Sequence, residues 1–96
     1  MGSEHVREVL GRKRTVEILD YLDGAEYRNY SEIKDAVDTS SITILDSLEL
    51  LAAYGLVERT EKSKKDVRYE LTDAGKEFLQ AVRTIESLLE ASVDSD

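Results

Sequence analysis

The sequence predicts a single α+β domain that is mostly helical, and three observations support this fold class. Apolar residues recur at the 3.6-residue period of amphipathic helices in several segments, whereas the chain after residue 55 changes to the two-residue alternation of strands. Hydrophobic residues make up 41% of the 96 residues, which is enough for one folded core. The chain has no proline and no low-complexity linker, so nothing indicates a second domain.

Two helical segments are predicted before residue 25. Ser3 is the predicted N-cap of the first segment, which has three apolar residues on one face: Val6, Val9 and Leu10. Gly11 interrupts this segment, and the pattern resumes at Arg12. Four residues then follow the i, i+3, i+4, i+7 spacing of an amphipathic helix: Thr15, Ile18, Leu19 and Leu22. Asp23 and Gly24 form the expected stop.

Two further helices follow a short predicted strand at residues 27–30. Ser31 starts the first of them, and three of its residues are predicted to face inward: Ile33, Ala36 and Val37. A polar turn over residues 38–40 then leads to a helix over residues 41–54, which Ser40 or Ser41 caps. The predicted core face of this helix is Ile44, Leu48 and Leu51. Gly55 is the expected left-handed stop.

A hairpin and a last helix complete the chain. Residues 56–60 and 67–71 are predicted strands, because Val67, Tyr69 and Leu71 alternate with polar residues. The loop between the strands, residues 61–66, is entirely polar. Thr72 caps the last helix, and an apolar seam of heptad-like spacing runs along it: Leu71, Gly75, Phe78, Val82, Ile85 and Leu89.

These elements resemble the winged helix-turn-helix transcriptional regulators. A three-residue turn between two short helices is the helix-turn-helix unit, and the hairpin after the third helix is the wing. The resemblance covers about residues 12–90 and is strongest from Leu48 to Leu79, with the motif "GLVER", a variable loop and the motif "YELTDAG". These motifs are similar to those of the MarR-, HxlR- and PadR-like groups and of small archaeal regulators.

The resemblance, together with the predicted elements, divides the chain into four regions. They are an N-terminal extension or first helical stretch at residues 1–11, a three-helix core with a β-hairpin wing at 12–71, a C-terminal dimerisation helix at 72–91 and a frayed tail at 92–96. It also implies a mechanism, in which the recognition helix, residues 41–54, enters the major groove of DNA. The basic wing, residues 61–68, then lies on the backbone or in the minor groove.

The charge distribution is uneven. The chain has 13 basic and 21 acidic residues, and its net charge of −8 by itself argues against a nucleic-acid partner. Residues 5–14, however, carry four basic side chains and one acidic side chain. Residues 59–68 carry five basic side chains and two acidic ones. Residues 84–96 carry four acids and no base. The two basic islands are therefore the candidate contacts for DNA.

On the recognition helix, the face opposite the core is predicted to contact DNA bases. Its candidate residues are Ser40, Ser41, Thr43 and Ser47. The alternative for Ser40 and Ser41 is helix capping, and both roles are compatible. Residues 38–55 contain no lysine or arginine, so this helix cannot make the common contact between arginine and guanine.

The basic residues of the two islands are predicted phosphate contacts. In the wing these are Lys62, Lys64, Lys65 and Arg68, and near the N-terminus they are Arg12, Lys13 and Arg14. The alternatives are an ordinary solvated hairpin tip and a charged first helical turn.

The seam of the last helix is a predicted dimer interface formed by Phe78, Val82, Ile85, Leu88 and Leu89. The alternative is packing on the first helix of the same chain, and both contacts are compatible.

Other classes of function find little support in the sequence. The chain has one histidine, no cysteine and no nucleotide-binding motif, so we expect neither an enzyme nor a bound metal or cofactor. It lacks a transmembrane segment, and a cysteine-free chain suits the reducing cytoplasm. The runner-up function is a winged-helix module that binds another protein, rather than DNA, through Ile42 and Leu50.

Overall fold

The computed structural model describes residues 2–12 and 14–94. Within these residues the helices and strands follow one another in the order α1 (Glu4–Leu10), α2 (Thr15–Leu22), β1 (Arg28–Asn29), α3 (Tyr30–Ala36), α4 (Ser41–Ala53), β2 (Val57–Ser63), β3 (Asp66–Leu71) and α5 (Asp73–Asp94). The predicted class, a mostly helical α+β fold with a hairpin before a C-terminal helix, is confirmed.

The three strands form one antiparallel sheet in the order β1-β3-β2. The hairpin of β2 and β3 turns at Lys64 and Lys65, directly after the pair between Ser63 and Asp66. A shift of register makes a β-bulge at Lys62. The hairpin is therefore longer and its turn tighter than the sequence predicted, because pairing continues through most of the predicted polar loop.

The core lies between the helices and the inner face of the sheet. Its largest fully buried apolar side chains are Ile18, Leu19, Leu22, Ile33, Ile44, Leu48, Leu51 and Leu79. Val37 is buried as predicted, whereas Ala36 is exposed, so the prediction that Ala36 faces inward is wrong. Ile33 and Val37 lie four residues apart on one face, and Ala36 falls beside that face.

α3 begins at Tyr30, one residue before the predicted start at Ser31, and its N-cap is Asn29. The Asn29 side chain accepts a hydrogen bond from the Glu32 backbone N–H, and the Glu32 carboxylate accepts one from the Asn29 backbone N–H, both at 2.9 Å. This reciprocal capping box satisfies two backbone donors. Since Asn29 also ends β1, the strand leads into α3 without a loop.

Both ends of α4 agree with the predictions. Ser40 is the N-cap, and its hydroxyl accepts a hydrogen bond from the Thr43 backbone N–H at 3.2 Å. At the other end Gly55 has a φ of +72°, the left-handed conformation that residues with a side chain rarely adopt.

The start of α5 is joined closely to the end of α4. The Thr72 hydroxyl accepts a hydrogen bond from the Gly75 N–H at 3.0 Å, as expected of an N-cap, and donates one to the Gly55 carbonyl at 2.5 Å. The Thr72 N–H also donates to the Leu56 carbonyl at 3.1 Å. That same carbonyl oxygen lies so close to α5 that a Cβ atom at Gly75 would be 2.0 Å from it. Only glycine fits this position.

The second half of α5 projects from the domain. Arg83 holds the helix against α2 through ion pairs with Asp20 at 2.8 Å and Asp23 at 3.0 Å. Beyond Arg83 the helix continues to Asp94, three residues past the predicted end at residue 91. The molecule is consequently elongated, with extents of 52 × 29 × 24 Å.

α1 lies beside the C-terminal end of α4. The His5 Nδ1 atom is 2.8 Å from the Tyr54 hydroxyl, and this hydroxyl donates a hydrogen bond to Glu8. The hydrogen bond to Glu8 raises the pKa of Tyr54. Val9 is buried in the core, but the Ser3 side chain makes no capping hydrogen bond to the helix.

Candidate nucleic-acid interface

The solvent-facing side of α4 is apolar near its start and acidic farther along. Ile42 is 73% exposed and Leu45 is 48% exposed. Asp46 and Glu49 are also exposed. Because the four positions recur every three or four residues, they form one stripe along the helix. This stripe carries no basic side chain, as the sequence analysis expected.

The structure corrects two residues of the predicted α4 surface. Ser47 is 2% exposed, so the prediction that it faces DNA is wrong. It completes the i, i+3, i+4, i+7 core set of Ile44, Ser47, Leu48 and Leu51. Leu50 packs partly buried against the core, whereas Leu45, which the sequence analysis missed, is exposed. Its position three residues after Ile42 was the available signal, because residues with this spacing share a helix face.

The hydroxyl side chains at the start of α4 form a small cluster. Ser40 is exposed, while Ser41 and Thr43 are half-buried. The Ser40 hydroxyl caps the helix and also donates a hydrogen bond to the Thr43 hydroxyl at 3.0 Å. The capping role considered in the sequence analysis is therefore present for Ser40, and its contact with DNA remains a prediction.

A groove of about 510 Å³ is lined by α4, the start of α3 and the hairpin. Leu45 contributes the α4 side, and Tyr30 and Ser31 contribute the α3 side. The hairpin contributes Arg59, Lys64, Lys65, Val67 and Tyr69. Three positive side chains thus line the same groove as an exposed residue of α4, and none of the described residues lining it is a carboxylate. Such an arrangement suits the phosphates of a nucleic acid.

Lys64 and Lys65 are the two turn residues of the hairpin, and both are exposed. Neither side chain forms a hydrogen bond or an ion pair with a described residue. Their charges are therefore available to a ligand in the groove.

Lys62 and Arg68 lie on the other face of the hairpin, away from α4. There they line a separate depression together with three acidic residues, Glu26, Glu58 and Glu70. Arg68 forms an ion pair with Asp66 at 2.8 Å, and its guanidinium stacks 4.4 Å from the centre of the Tyr27 ring. Hydrogen bonding from Arg68 lowers the pKa of Asp66. The structure thus separates these two predicted phosphate contacts from Lys64 and Lys65.

Arg59 is the basic residue of the groove that the sequence analysis did not predict as a phosphate contact. It pairs with Tyr69 across the hairpin, and antiparallel partners point to the same side of a sheet. The Tyr69 hydroxyl and the Glu61 carboxylate raise the pKa of Arg59 by hydrogen bonding. Strand alternation was the signal that could have found it, since the buried Tyr69 marks the face that looks toward α4.

The N-terminal basic island is only partly described. Lys13 lies outside the described residues, and Arg12 is exposed. The Arg14 guanidinium forms an ion pair with Glu17 at 2.9 Å and donates a hydrogen bond to the Asp38 carbonyl at 3.2 Å. Arg14 therefore links the start of α2 to the turn that precedes α4.

The predicted dimer seam divides into two parts. Phe78 and Val82 are half-buried, and Phe78 packs against the core near α1. Farther along α5, Ile85, Leu88 and Leu89 are 47%, 65% and 58% exposed. The part of the seam at residues 78–82 thus packs within the chain, whereas the part at residues 85–89 is uncovered.

Residues 12–75, more than half of the chain, match the family model described as winged helix DNA-binding domain. The chain is similar to a structure from Thermoplasma volcanium described as an HxlR-family transcriptional factor, with 28% identity and a TM-score of 0.73. That match covers 100% of this chain and 87% of the other. No curated protein matched the sequence.

Two structures assigned to MarR-family transcriptional regulators share the fold at lower identity. The one from Enterococcus faecalis is 21% identical with a TM-score of 0.80, and the match covers 91% of this chain and 81% of the other. The one from Porphyromonas gingivalis is 19% identical with a TM-score of 0.73, and the match covers 99% of this chain and 92% of the other.

Two features are absent from the described residues. None of their helices is long and apolar enough to cross a bilayer. They also contain no group of three or more histidine, cysteine or acidic residues placed to hold a metal ion.

Proposed function

Because this chain belongs to the winged helix DNA-binding domain family, we propose that it regulates transcription by binding double-stranded DNA as a homodimer. α4 is the recognition helix, and the hairpin of β2 and β3 is the wing. One observation carries the assignment of the contact surface: Lys64 and Lys65 line the same groove as Leu45 of α4. Phosphates held by these lysines bring the edges of the bases toward α4.

The shape of the surface suits a duplex. The major groove of DNA is about 12 Å wide and admits one α-helix. Ser40, Ser41 and Thr43 lie at the start of α4, where recognition helices contact base edges. Arg59 and the two turn lysines then lie beside the helix, where a phosphate strand borders the groove.

The net charge of −8 is compatible with this role because of where the acids lie. The four acids of residues 84–96 belong to the projecting end of α5 and the residues after it. At physiological salt, exposed charges more than about 8 Å apart are largely screened from one another. The local charge of the groove therefore decides the interaction with phosphates.

A homodimer would cover the projecting half of α5. Four exposed apolar residues occupy one side of it: Ile85, Leu88, Leu89 and Val93. Their spacing of three and four residues is that of a helix–helix seam. A two-fold dimer also presents two recognition helices to half-sites about 34 Å apart, one turn of DNA.

We further propose that the protein acts by binding alone, in the cytoplasm, without a metal or cofactor. The family match supports a binding role, and the absence of cysteine from the sequence agrees with a reducing compartment.

The test of this function removes the two turn lysines. We expect Lys64→Ala with Lys65→Ala to weaken binding to every duplex by the same factor, because phosphate contacts are independent of sequence. The slope of log affinity against log salt concentration should fall by about 1.8 per protomer, 0.9 for each lost contact. Titration of a fluorescent duplex at several salt concentrations measures both effects.

A matched control removes two lysines elsewhere. Lys62→Ala with Lys76→Ala changes the net charge equally, but Lys62 lies on the outer face of the hairpin and Lys76 on α5. We expect this pair to leave the salt slope almost unchanged. An equal fall in slope would show that total charge matters, rather than the groove. Absence of duplex binding by the unsubstituted protein at low salt would overturn the proposed function itself.

A further inference from the structure

We propose that α4 recognises its DNA sequence through the methyl groups of thymine, with Ile42 and Leu45 as the contacting side chains. This inference rests on the proposed function and names the base chemistry that the recognition helix selects. It predicts a binding site in which the base pairs under α4 are A·T pairs with the thymine methyl turned toward the helix.

The exposed stripe of α4 leaves few other ways to recognise bases. Ile42 and Leu45 are its most prominent side chains, at 73% and 48% exposure. No residue of α4 is basic, so the helix supplies no charged donor for the N7 and O6 acceptors of guanine. An apolar side chain that faces the major groove has one apolar partner there, the C5-methyl group of thymine.

The spacing of the two side chains fits neighbouring base pairs. Three residues along a helix correspond to about 4.5 Å, and successive base pairs are about 3.4 Å apart on each strand. With the helix inclined in the groove, Ile42 and Leu45 therefore contact methyl groups on adjacent pairs.

The charges around the stripe orient the duplex. Leu45 shares its groove with Arg59, Lys64 and Lys65, so a phosphate strand bound to the hairpin brings the bases against Leu45. Farther along α4, the exposed Asp46 and Glu49 carry acceptors only. In the major groove these acceptors can take a hydrogen bond from the N6 amino group of adenine or from the N4 amino group of cytosine. The acidic residues are thus compatible with an A·T pair, and the apolar residues select it through the thymine methyl.

The same charges favour DNA over a protein partner for this stripe. Its exposed apolar part consists of two large side chains, which is small compared with the buried centre of a stable protein interface. The hairpin lysines beside it have no partner among the described residues. A polyanion with apolar groups at the base of a groove complements both features.

The test removes only the methyl groups. A duplex recovered by selection from a random DNA pool is resynthesised with deoxyuridine in place of thymidine, one position at a time. We expect a loss of about 4-fold in affinity at each position under α4, the factor for one methyl group removed from an apolar contact. At other positions the replacement should have no effect. In a duplex whose contacted thymine is replaced by cytosine, with guanine opposite, changing that cytosine to 5-methylcytosine should raise the affinity by about the same factor.

Variants of the protein assign the effect to the two side chains. Ile42→Ala should abolish the deoxyuridine penalty at one position, and Leu45→Ala should abolish it at the adjacent one. Both residues are exposed, so the fold should persist, and circular dichroism verifies it. Val6→Ala is the matched control, because Val6 is an apolar residue of α1 with 46% exposure. It should retain both penalties.

Three outcomes overturn the inference while leaving the proposed function intact. The first is a selected site with guanine or cytosine under α4 and no effect of 5-methylation. The second is a duplex that binds equally well with deoxyuridine in place of thymidine at every position. The third is a penalty that persists unchanged in both α4 variants, which would place the methyl contacts elsewhere. Failure of the proposed function is distinct, because no duplex would then bind and none could be selected.

Discussion

Shortening the chain after Thr84 is expected to convert the proposed dimer into a monomer and to weaken binding to a two-half-site duplex by about 100-fold or more. The truncation removes Ile85, Leu88 and Leu89, the exposed residues of the proposed seam. Two linked recognition helices gain about 10²-fold to 10⁴-fold in avidity over one, and the monomer loses this gain. Light scattering measures the mass, and titration with one or two half-sites measures the affinity.

The position of the cut follows from the packing of α5. Leu79 is 2% exposed in the core and Arg83 holds two ion pairs with α2, so both must remain. A full-length control, Glu86→Gln with Glu90→Gln, changes the same half of α5 without touching the apolar seam. We expect this control to stay dimeric. A truncated chain that keeps the mass of a dimer would show that another surface holds the protomers together.

Gly75→Ala is expected to reduce the free energy of unfolding by about 1–3 kcal/mol, the usual cost of forcing extra atoms into a packed site. The added Cβ would lie 2.0 Å from the Leu56 carbonyl oxygen, a backbone atom that cannot turn aside. α5 must therefore shift, and the shift strains the hydrogen bond from Thr72 to the same carbonyl and the packing of Leu79. Urea denaturation at one fixed protein concentration measures the change, since the proposed dimerisation would make stability depend on concentration.

The sign of this change is decisive. Helix propensity alone favours alanine over glycine, by about 1 kcal/mol in a helix interior. A more stable Gly75→Ala variant would therefore mean that the close approach of Leu56 is absent. The neighbouring Ala74→Val variant serves as the control, because Ala74 is exposed and added atoms there meet solvent. We expect it to stay within about 0.5 kcal/mol of the unsubstituted protein.

Much of the fold could be predicted from the sequence because local signals and tertiary structure agree. Ser40, Gly55 and Thr72 mark helix ends by the backbone hydrogen bonds or the left-handed conformation that their residue types favour. The strand alternation of Val67, Tyr69 and Leu71 was likewise sufficient to predict β3. The match to a winged helix DNA-binding family then confirms the resemblance seen in these motifs.

The composition of the interface was harder to predict. Ser47 is polar, and polarity suggested exposure, but its helical position decides burial. Lys62 and Arg68 belong to the same basic island as Lys64 and Lys65. The pleat and the bulge of the hairpin nevertheless place the first pair on the face opposite to the groove that the second pair lines. A count of charge along the chain does not contain this information, because the face of a strand residue depends on pairing register.

The contacts between Thr72, Gly55 and Leu56 have a consequence for the architecture of a regulated promoter. These hydrogen bonds join the C-terminal end of the recognition helix to the N-terminal end of the long terminal helix, so that the two helices form one rigid, angled unit. In the proposed dimer, each of these two-helix units runs from the axis of symmetry to one half-site. The angle between the two helices therefore sets the number of base pairs between half-sites. Substitutions at this junction would change operator spacing without altering any residue that touches DNA.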